Sequence, residues 1–142
     1  MRALFDVNVL IALLDESHVH HAPARDWLAR NIKHGWASCP LTQNGCIRIL
    51  SQSPYPGALP PATVAERLAA ATSTDWHVFW PDSLSLLEGG GVEWRHVLGS
   101  RQVTDVYLLA LAVSRGGRLV TFDRAIPLAA VPGAKPRHLV FV

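Results

Sequence analysis

Apolar positions along the chain follow two alternating rhythms. Short runs rich in β-branched, aliphatic and aromatic residues occur at Arg2–Phe5, Trp36–Cys39, His77–Trp80, Arg118–Phe122 and His138–Val142, and runs of that length and composition predict strands. Between them, apolar residues recur every three or four positions, the period of a helix with one buried face. Leu10, Ile11 and Leu14 follow the first strand at that spacing, and Ala22–Ile32 carries Trp27, Leu28 and Ile32 on one side. Leu41–Leu50 reads as a further helix, and another begins near Pro61, with Val64, Leu68 and Ala71 as its stripe. The segment Val106–Val113 is apolar on nearly every side, which predicts a helix covered from several directions. Strand and helix in alternation predict an α/β fold, a mainly parallel sheet of about five strands flanked by helices.

Two interruptions punctuate this pattern. Ser53-Pro54-Tyr55-Pro56-Gly57 predicts a loop, because successive prolines remove backbone donors and resist helix. Gly89-Gly90-Gly91 predicts a flexible break between two helical pieces, and nothing near it supplies the GK[ST] of a phosphate-binding loop. No repeat of solenoid length and no linker divides the chain, so a single domain spanning 1–142 is expected.

Composition narrows the function classes. With 49% hydrophobic and 17% charged residues, there is enough apolar material for a buried core, and disorder is excluded. A net charge of +2 is too small for nucleic-acid binding by bulk charge alone. Cys39 and Cys46 form no CxxC pair and no disulfide framework, which fits a reducing cytoplasm. Val7–Leu14 is mostly apolar, but Asp6 and Asn8 interrupt its start, no small-residue cleavage site follows, and no apolar run reaches the ~18 residues of a membrane span. A soluble cytoplasmic protein without membrane contact is expected.

The chemistry lies in where the acids fall. Asp6 follows the first predicted strand and Asp123 follows the strand Arg118–Phe122, and the crevice beyond the carboxyl ends of parallel strands is where α/β proteins bind ligands. Asp105 follows Thr104, a suitable N-cap, and so opens the apolar helix at the end where a helix dipole favours negative charge. Any one of these acids is equally well an ordinary cap or Asx turn. Three in one crevice would repel one another unless a cation neutralised them, and an all-oxygen carboxylate site suits Mg²⁺ or Mn²⁺. With no nucleophile triad present, the arrangement points to metal-assisted phosphodiester hydrolysis.

At these residues a family resemblance becomes specific. Leu4-Phe5-Asp6-Val7-Asn8-Val9-Leu10, Arg101-Gln102-Val103-Thr104-Asp105-Val106-Tyr107-Leu108-Leu109-Ala110-Leu111-Ala112 and Thr121-Phe122-Asp123 resemble the PIN-domain toxin ribonucleases of VapC type, in order and spacing, over nearly the whole chain. The resemblance implies a three-layer PIN-like sandwich and an endoribonuclease. It implies further that Asp6, Asp105 and Asp123 bind Mg²⁺ and that Asn8 and Thr121 support them by hydrogen bonds. It also implies an RNA substrate, a homodimer and a small antitoxin whose tail enters the active-site groove. One position departs from the family: Cys39-Pro40-Leu41-Thr42-Gln43-Asn44-Gly45 has Gln43 where a fourth acid, usually Glu, is found. The amide removes one negative charge, which lowers metal affinity and leaves a second metal in doubt. Asn44 beside it is a second candidate to position water or RNA.

Other residues weigh less. His18, His20 and His21 cluster in sequence, but no Cys or carboxylate set completes a tetrahedral site nearby, so a solvated helix entry is expected. His96, close to Trp94, reads as an ordinary packed or surface residue. Arg48, Arg95, Arg101 and Arg124 lie close in sequence to the acidic segments and are the candidates for RNA phosphates, against ordinary surface charge. Trp27 and Trp80 are expected in the core rather than on a base-stacking platform. Two rival functions remain: a PIN-like RNA-binding module weakened or silenced by Gln43, and a receiver-like signalling domain with Asp at its strand ends. Lys33 and Lys135 are the only lysines and neither follows a predicted core strand, which argues against the receiver.

Overall fold

Parallel strands cannot be joined by tight turns; each needs a crossover, and the alternating pattern supplies helices and longer connections for that purpose. The computed structural model describes residues 1–142. Its strands are β1 (Ala3–Phe5), β2 (Trp36–Ser38), β3 (His77–Phe79), β4 (Arg118–Thr121) and β5 (Leu139–Phe141). They form one sheet in the order β3-β2-β1-β4-β5, with every neighbouring pair parallel. The helices are α1 (Val7–Leu14), α2 (His21–Asn31), α3 (Pro40–Leu50), α4 (Pro61–Thr72) and α5 (Val103–Ser114). No helix is long and apolar enough to cross a membrane.

The register sorts side chains onto two faces, because neighbours in a strand point to opposite sides. Leu4, Ala37, Leu119 and Leu139 form one row across the sheet and pack with α5, Trp80, Ile126 and Val131. Ala3, Phe5, Trp36 and Val120 face the other way, against Val9 and Leu10 of α1, Cys46 of α3 and Val64 and Leu68 of α4. Both faces are therefore covered, which is why the strands read as continuous apolar runs rather than alternating ones. On α5 the whole stretch Val106–Ala112 is buried. Trp80 lies in the core, as expected, whereas Trp27 is half-buried with its edge against Phe5.

Several expectations need correction. The strands are shorter than their apolar runs, and α1 begins at Val7, directly after Asp6, and carries Leu10, Ile11 and Leu14 as expected. Thr104 is not an N-cap: α5 starts at Val103, behind a single 3₁₀ turn at Ser100–Gln102, and Gln102 holds the cap position. The chain is already helical there, so no extended residue is left from which a hydroxyl could fold back onto the first turn. Gly89-Gly90-Gly91 does not separate two helical pieces. The preceding residues are irregular, the Ser85 hydroxyl accepting the Leu87 and Glu88 N–H groups in place of a helix ladder, and only a 3₁₀ turn at Trp94–His96 follows.

Gly117 shows how tightly the two central strands are set. A Cβ there would lie 2.7 Å from the Arg2 carbonyl oxygen and 2.7 Å from the Trp80 ring, and the backbone neighbour cannot yield as a side-chain tip could. Gly117→Ala is expected to destabilise the fold by about 1–3 kcal/mol through overpacking, measured as a lower urea midpoint at unchanged slope. An unchanged midpoint would show that β1 and β4 tolerate a wider spacing.

Candidate active site

The carboxyl end of the sheet gathers its acids by local geometry. Asp6 is the residue at which β1 becomes α1, and its backbone N–H is held by the Val120 carbonyl of β4 at 3.0 Å. Its side chain is 5% exposed. Thr121, the last residue of β4 and fully buried, donates its hydroxyl hydrogen to the Asp6 carboxylate at 2.9 Å and accepts the Asp123 N–H at 3.0 Å. One hydroxyl thus ties two of the acids to the same strand end. Asp123 is exposed, and its Oδ1 accepts the Ala125 N–H at 2.8 Å, an Asx turn. Asp105, half-buried in the first turn of α5, faces both.

The three carboxylates act on one another electrostatically. Burial lifts Asp6 above its ordinary range, with hydrogen bonds from Thr121 and the Val7 backbone pulling the other way and Asp123 adding repulsion. Asp105 is pushed up to about 7, first by burial, then by the charges of Asp6 and Asp123, and by a hydrogen bond with Asp123 that favours its protonated form. A carboxylic acid half-protonated at neutrality is what a crowded acidic crevice produces when nothing neutralises it.

The residues therefore fit a divalent cation by charge and by donor type. The carboxylates supply only oxygen, and their mutual repulsion is what a cation would relieve. They do not, however, already converge on a point from which one ion touches all three. Closing such a set requires side-chain rotation, most freely at the exposed Asp123.

Gln43 stands apart from the acids. It sits in the first turn of α3, just beyond β2, and its amide nitrogen donates to the Ser38 hydroxyl at 3.0 Å. It makes no hydrogen bond with Asp6, Asp105 or Asp123. Asn44 and Asn8 are exposed and their side chains are hydrogen-bonded to nothing, so the support expected from Asn8 is not made, while that from Thr121 is. Thr104 is likewise exposed and unengaged, one helical step from Asp105. Among the arginines, Arg95 is paired with Glu93 at 3.7 Å, whereas Arg48, Arg101 and Arg124 are exposed and in no ion pair; Arg124 lies over the Phe141 ring at 5.2 Å. That leaves three free cations for phosphate.

A feature that sequence reading missed lies beside Asp123. The rings of His18 and His20 pack on Phe122, at 6.4 and 4.9 Å. They were expected as a solvated helix entry, and exposed His20 is consistent with that. Their separation from Asp123 by about a hundred positions hid the neighbourhood; the only signal was that Phe122 is an aromatic directly between a strand end and an acid. His21 turns away and its Nδ1 meets the Ala12 carbonyl at 2.7 Å, closing the end of α1.

Known proteins resemble this chain in sequence and in fold. A family model described as PIN domain matches residues 3–132. Ribonuclease VapC44 of Mycobacterium tuberculosis is 51% identical over 139 residues, 98% of either chain. Ribonuclease VapC39 of the same species is 46% identical over 134 residues, 94% of this chain and 96% of its own. Among solved structures, M. tuberculosis VapC20, a Sarcin-Ricin loop cleaving toxin, superposes with a TM-score of 0.65 at 15% identity, covering 94% of this chain and 99% of the other. VapBC2 from Rickettsia felis, bound to a DNA fragment from its promoter, gives 0.63 at 14% identity over 100% of this chain and 98% of that one. At such identities the two structures speak for the fold, the sequence matches for descent, and the chain belongs to the PIN-domain family.

Proposed function

We propose that this protein is a Mg²⁺-dependent endoribonuclease, with Mn²⁺ as a substitute, acting as the toxin of a toxin–antitoxin pair. Asp6, Asp105 and Asp123 hold the ion, Thr121 fixes the first and last of them, and Arg48, Arg101 and Arg124 meet RNA phosphates. The observation that carries this reading is the gathering of acids at the carboxyl end of the sheet: Thr121 joins Asp6 and Asp123, and Asp105 in the first turn of α5 is pushed up to about 7 first by burial and then by those two neighbours. Asp6 and Asp105 stand at helix starts, which relieves part of their charge, yet no Lys or Arg pairs with either or with Asp123, and the repulsion among the three supports a place for something positive. When bound, a divalent ion there supplies Lewis acidity toward the phosphodiester and an acidified water. Relatives named as VapC ribonucleases over nearly their full lengths support RNA as the substrate.

The deciding experiment incubates purified protein with RNA over a Mg²⁺ series, with and without EDTA, and maps the new ends by sequencing. Cleavage that needs the metal supports the reading. RNA bound at full affinity and left intact at every metal concentration would favour the alternative of a silenced binding module, for which the turning of Gln43 to Ser38 is the specific support. In cells, expression alone is expected to slow growth and co-expression of the cognate antitoxin to restore it. Normal growth with confirmed folded protein would remove the toxin role and leave a nuclease. The resemblance to VapC toxins also supports a homodimer, which light scattering at working concentration tests.

Gln43 gives a graded test. Gln43→Glu adds a negative charge at the start of α3, and two opposite charges close together in water attract by about 1 kcal/mol. The Mg²⁺ concentration for half-maximal cleavage is expected to fall about fivefold. An unchanged metal requirement would mean that position 43 lies outside the field of the site.

A further inference from the structure

The amide of Gln43 ends a chain of hydrogen bonds whose direction is fixed at its far end. Ser38, fully buried at the end of β2, accepts the Gln43 N–H at 3.0 Å, and its oxygen lies 2.8 Å from Nε2 of His77 on β3. A hydroxyl that accepts from Gln43 has a second lone pair as well as its own hydrogen, so it can either accept from Nε2 or donate to it, and the far side of the ring decides which. The Thr72 backbone also hydrogen-bonds the ring and favours its protonated form, which is the effect of a carbonyl, and with Nε2 on Ser38 this contact falls to Nδ1. His77 is thereby the Nδ1–H neutral tautomer. The order runs Gln43 N–H to Ser38 O–H to His77 Nε2, and the Gln43 carbonyl oxygen is the atom left pointing away from Ser38.

We propose that Ser38 and His77 are positioning residues that set the polarity of the Gln43 amide, keeping its oxygen, not its nitrogen, available to the crevice. The opposite arrangement has the Ser38 hydroxyl donating to the Gln43 oxygen and His77 Nε2–H donating to Ser38. It demands either a lone pair on Nδ1 facing the Thr72 carbonyl or a charged ring. Burial, then the Arg2 guanidinium, hold His77 below its ordinary pKa and so against the charged ring. Arg2 is the one charge that acts on it; Trp36 and Ser38 of β2, Gln43 of α3 behind Ser38, and Thr72 of α4 are all untitratable. An acid at position 43 could only accept from Ser38, which forces the opposite arrangement. Glutamine at 43 and a neutral His77 are thus chemically matched, and this supplies a reason for the departure from the family's acid.

This inference rests on the reading of the crevice as the active site, but its test needs no cleavage, so the two can fail separately. Long-range ¹H–¹⁵N NMR of the imidazoles reports tautomer and titration directly. The wild-type protein is expected to show His77 as the neutral Nδ1–H form at pH 7, and Gln43→Glu to raise its pKa by about one unit or more. In the Ser38→Ala background, which cuts the chain, the same Glu substitution is expected to move His77 by less than half as much. A neutral Nε2–H tautomer in the wild type, or a His77 titration that Gln43→Glu leaves unmoved, would overturn the proposal. So would a shift of equal size with and without the Ser38 hydroxyl, since that would be a field effect through space. Should Ser38→Ala fail to fold, the wild-type tautomer and the Gln43→Glu shift decide alone.

Discussion

Asp6→Asn is expected to abolish RNA cleavage while leaving the fold intact. Asn has nearly the shape of Asp, and its oxygen can take the Thr121 hydroxyl in the place of the carboxylate oxygen now held at 2.9 Å. The buried position is therefore filled and hydrogen-bonded in the variant, and the desolvated charge that lifted the Asp6 pKa is gone. What disappears is the anionic oxygen nearest the junction of β1 and α1, replaced on one side by an N–H₂ group that repels a cation. Residues that merely orient a metal's ligands cost about 10- to 100-fold when removed, so loss of a ligand should cost about 100-fold or more. Cleavage assays on wild type and variant, purified identically at saturating Mg²⁺, read this out; thermal melting in EDTA confirms the fold. Cleavage persisting in the variant would place the activity in another site or another protein.

How much of this was legible in the sequence depends on the range of the interactions. The two acids that end strands were readable because a strand is a local pattern and the carboxyl end of a parallel strand has a fixed meaning: Asp6 and Asp123 stand where their positions implied, 115 and two residues from the Thr121 that joins them. Asp105 was readable as an acid at the head of an apolar helix, though through the wrong cap, since the 3₁₀ turn that carries the chain into α5 has no apolar rhythm of its own. Loops were least legible. Nothing in Gly89-Gly90-Gly91 foretold that the Trp94 indole would close the loop onto the Leu86 carbonyl at 2.9 Å. The Gln43 network was invisible for a different reason. Ser38, Gln43 and His77 lie on β2, α3 and β3, and only the pairing of Trp36 with His77 in register brings the imidazole beside the serine.

Asp105→Asn should separate activity from stability in the opposite direction to most active-site losses, by making the metal-free protein more stable. The Asp105 carboxyl has its folded pKa raised from 3.8 to about 7. A group of this kind contributes stability that is fully present below the unfolded value and lost as pH rises through the folded one. Above pH 7 the metal-free wild type therefore carries an ionised Asp105 against Asp6 and Asp123, and the neutral amide removes that repulsion while its N–H can donate to Asp123, where the protonated acid did before. Each pKa unit is about 1.4 kcal/mol, but Asp105 is half-exposed and water screens much of this. The net gain at pH 8 in EDTA is expected on the order of 1–2 kcal/mol, a rise of about 3–6 °C in melting temperature. It should shrink as pH falls and vanish below about pH 4, where the wild-type carboxyl is protonated in both states. Adding Mg²⁺ should then reverse the ranking, raising the wild type by mass action on the folded form and leaving Asp105→Asn nearly unmoved and inactive. Melting curves at pH 5 and 8, with and without metal, give four comparisons from two proteins. If the variant melts lower than wild type at pH 8 without metal, Asp105 is held by a favourable contact and not by crowding, and its assignment as a ligand facing the other two acids fails.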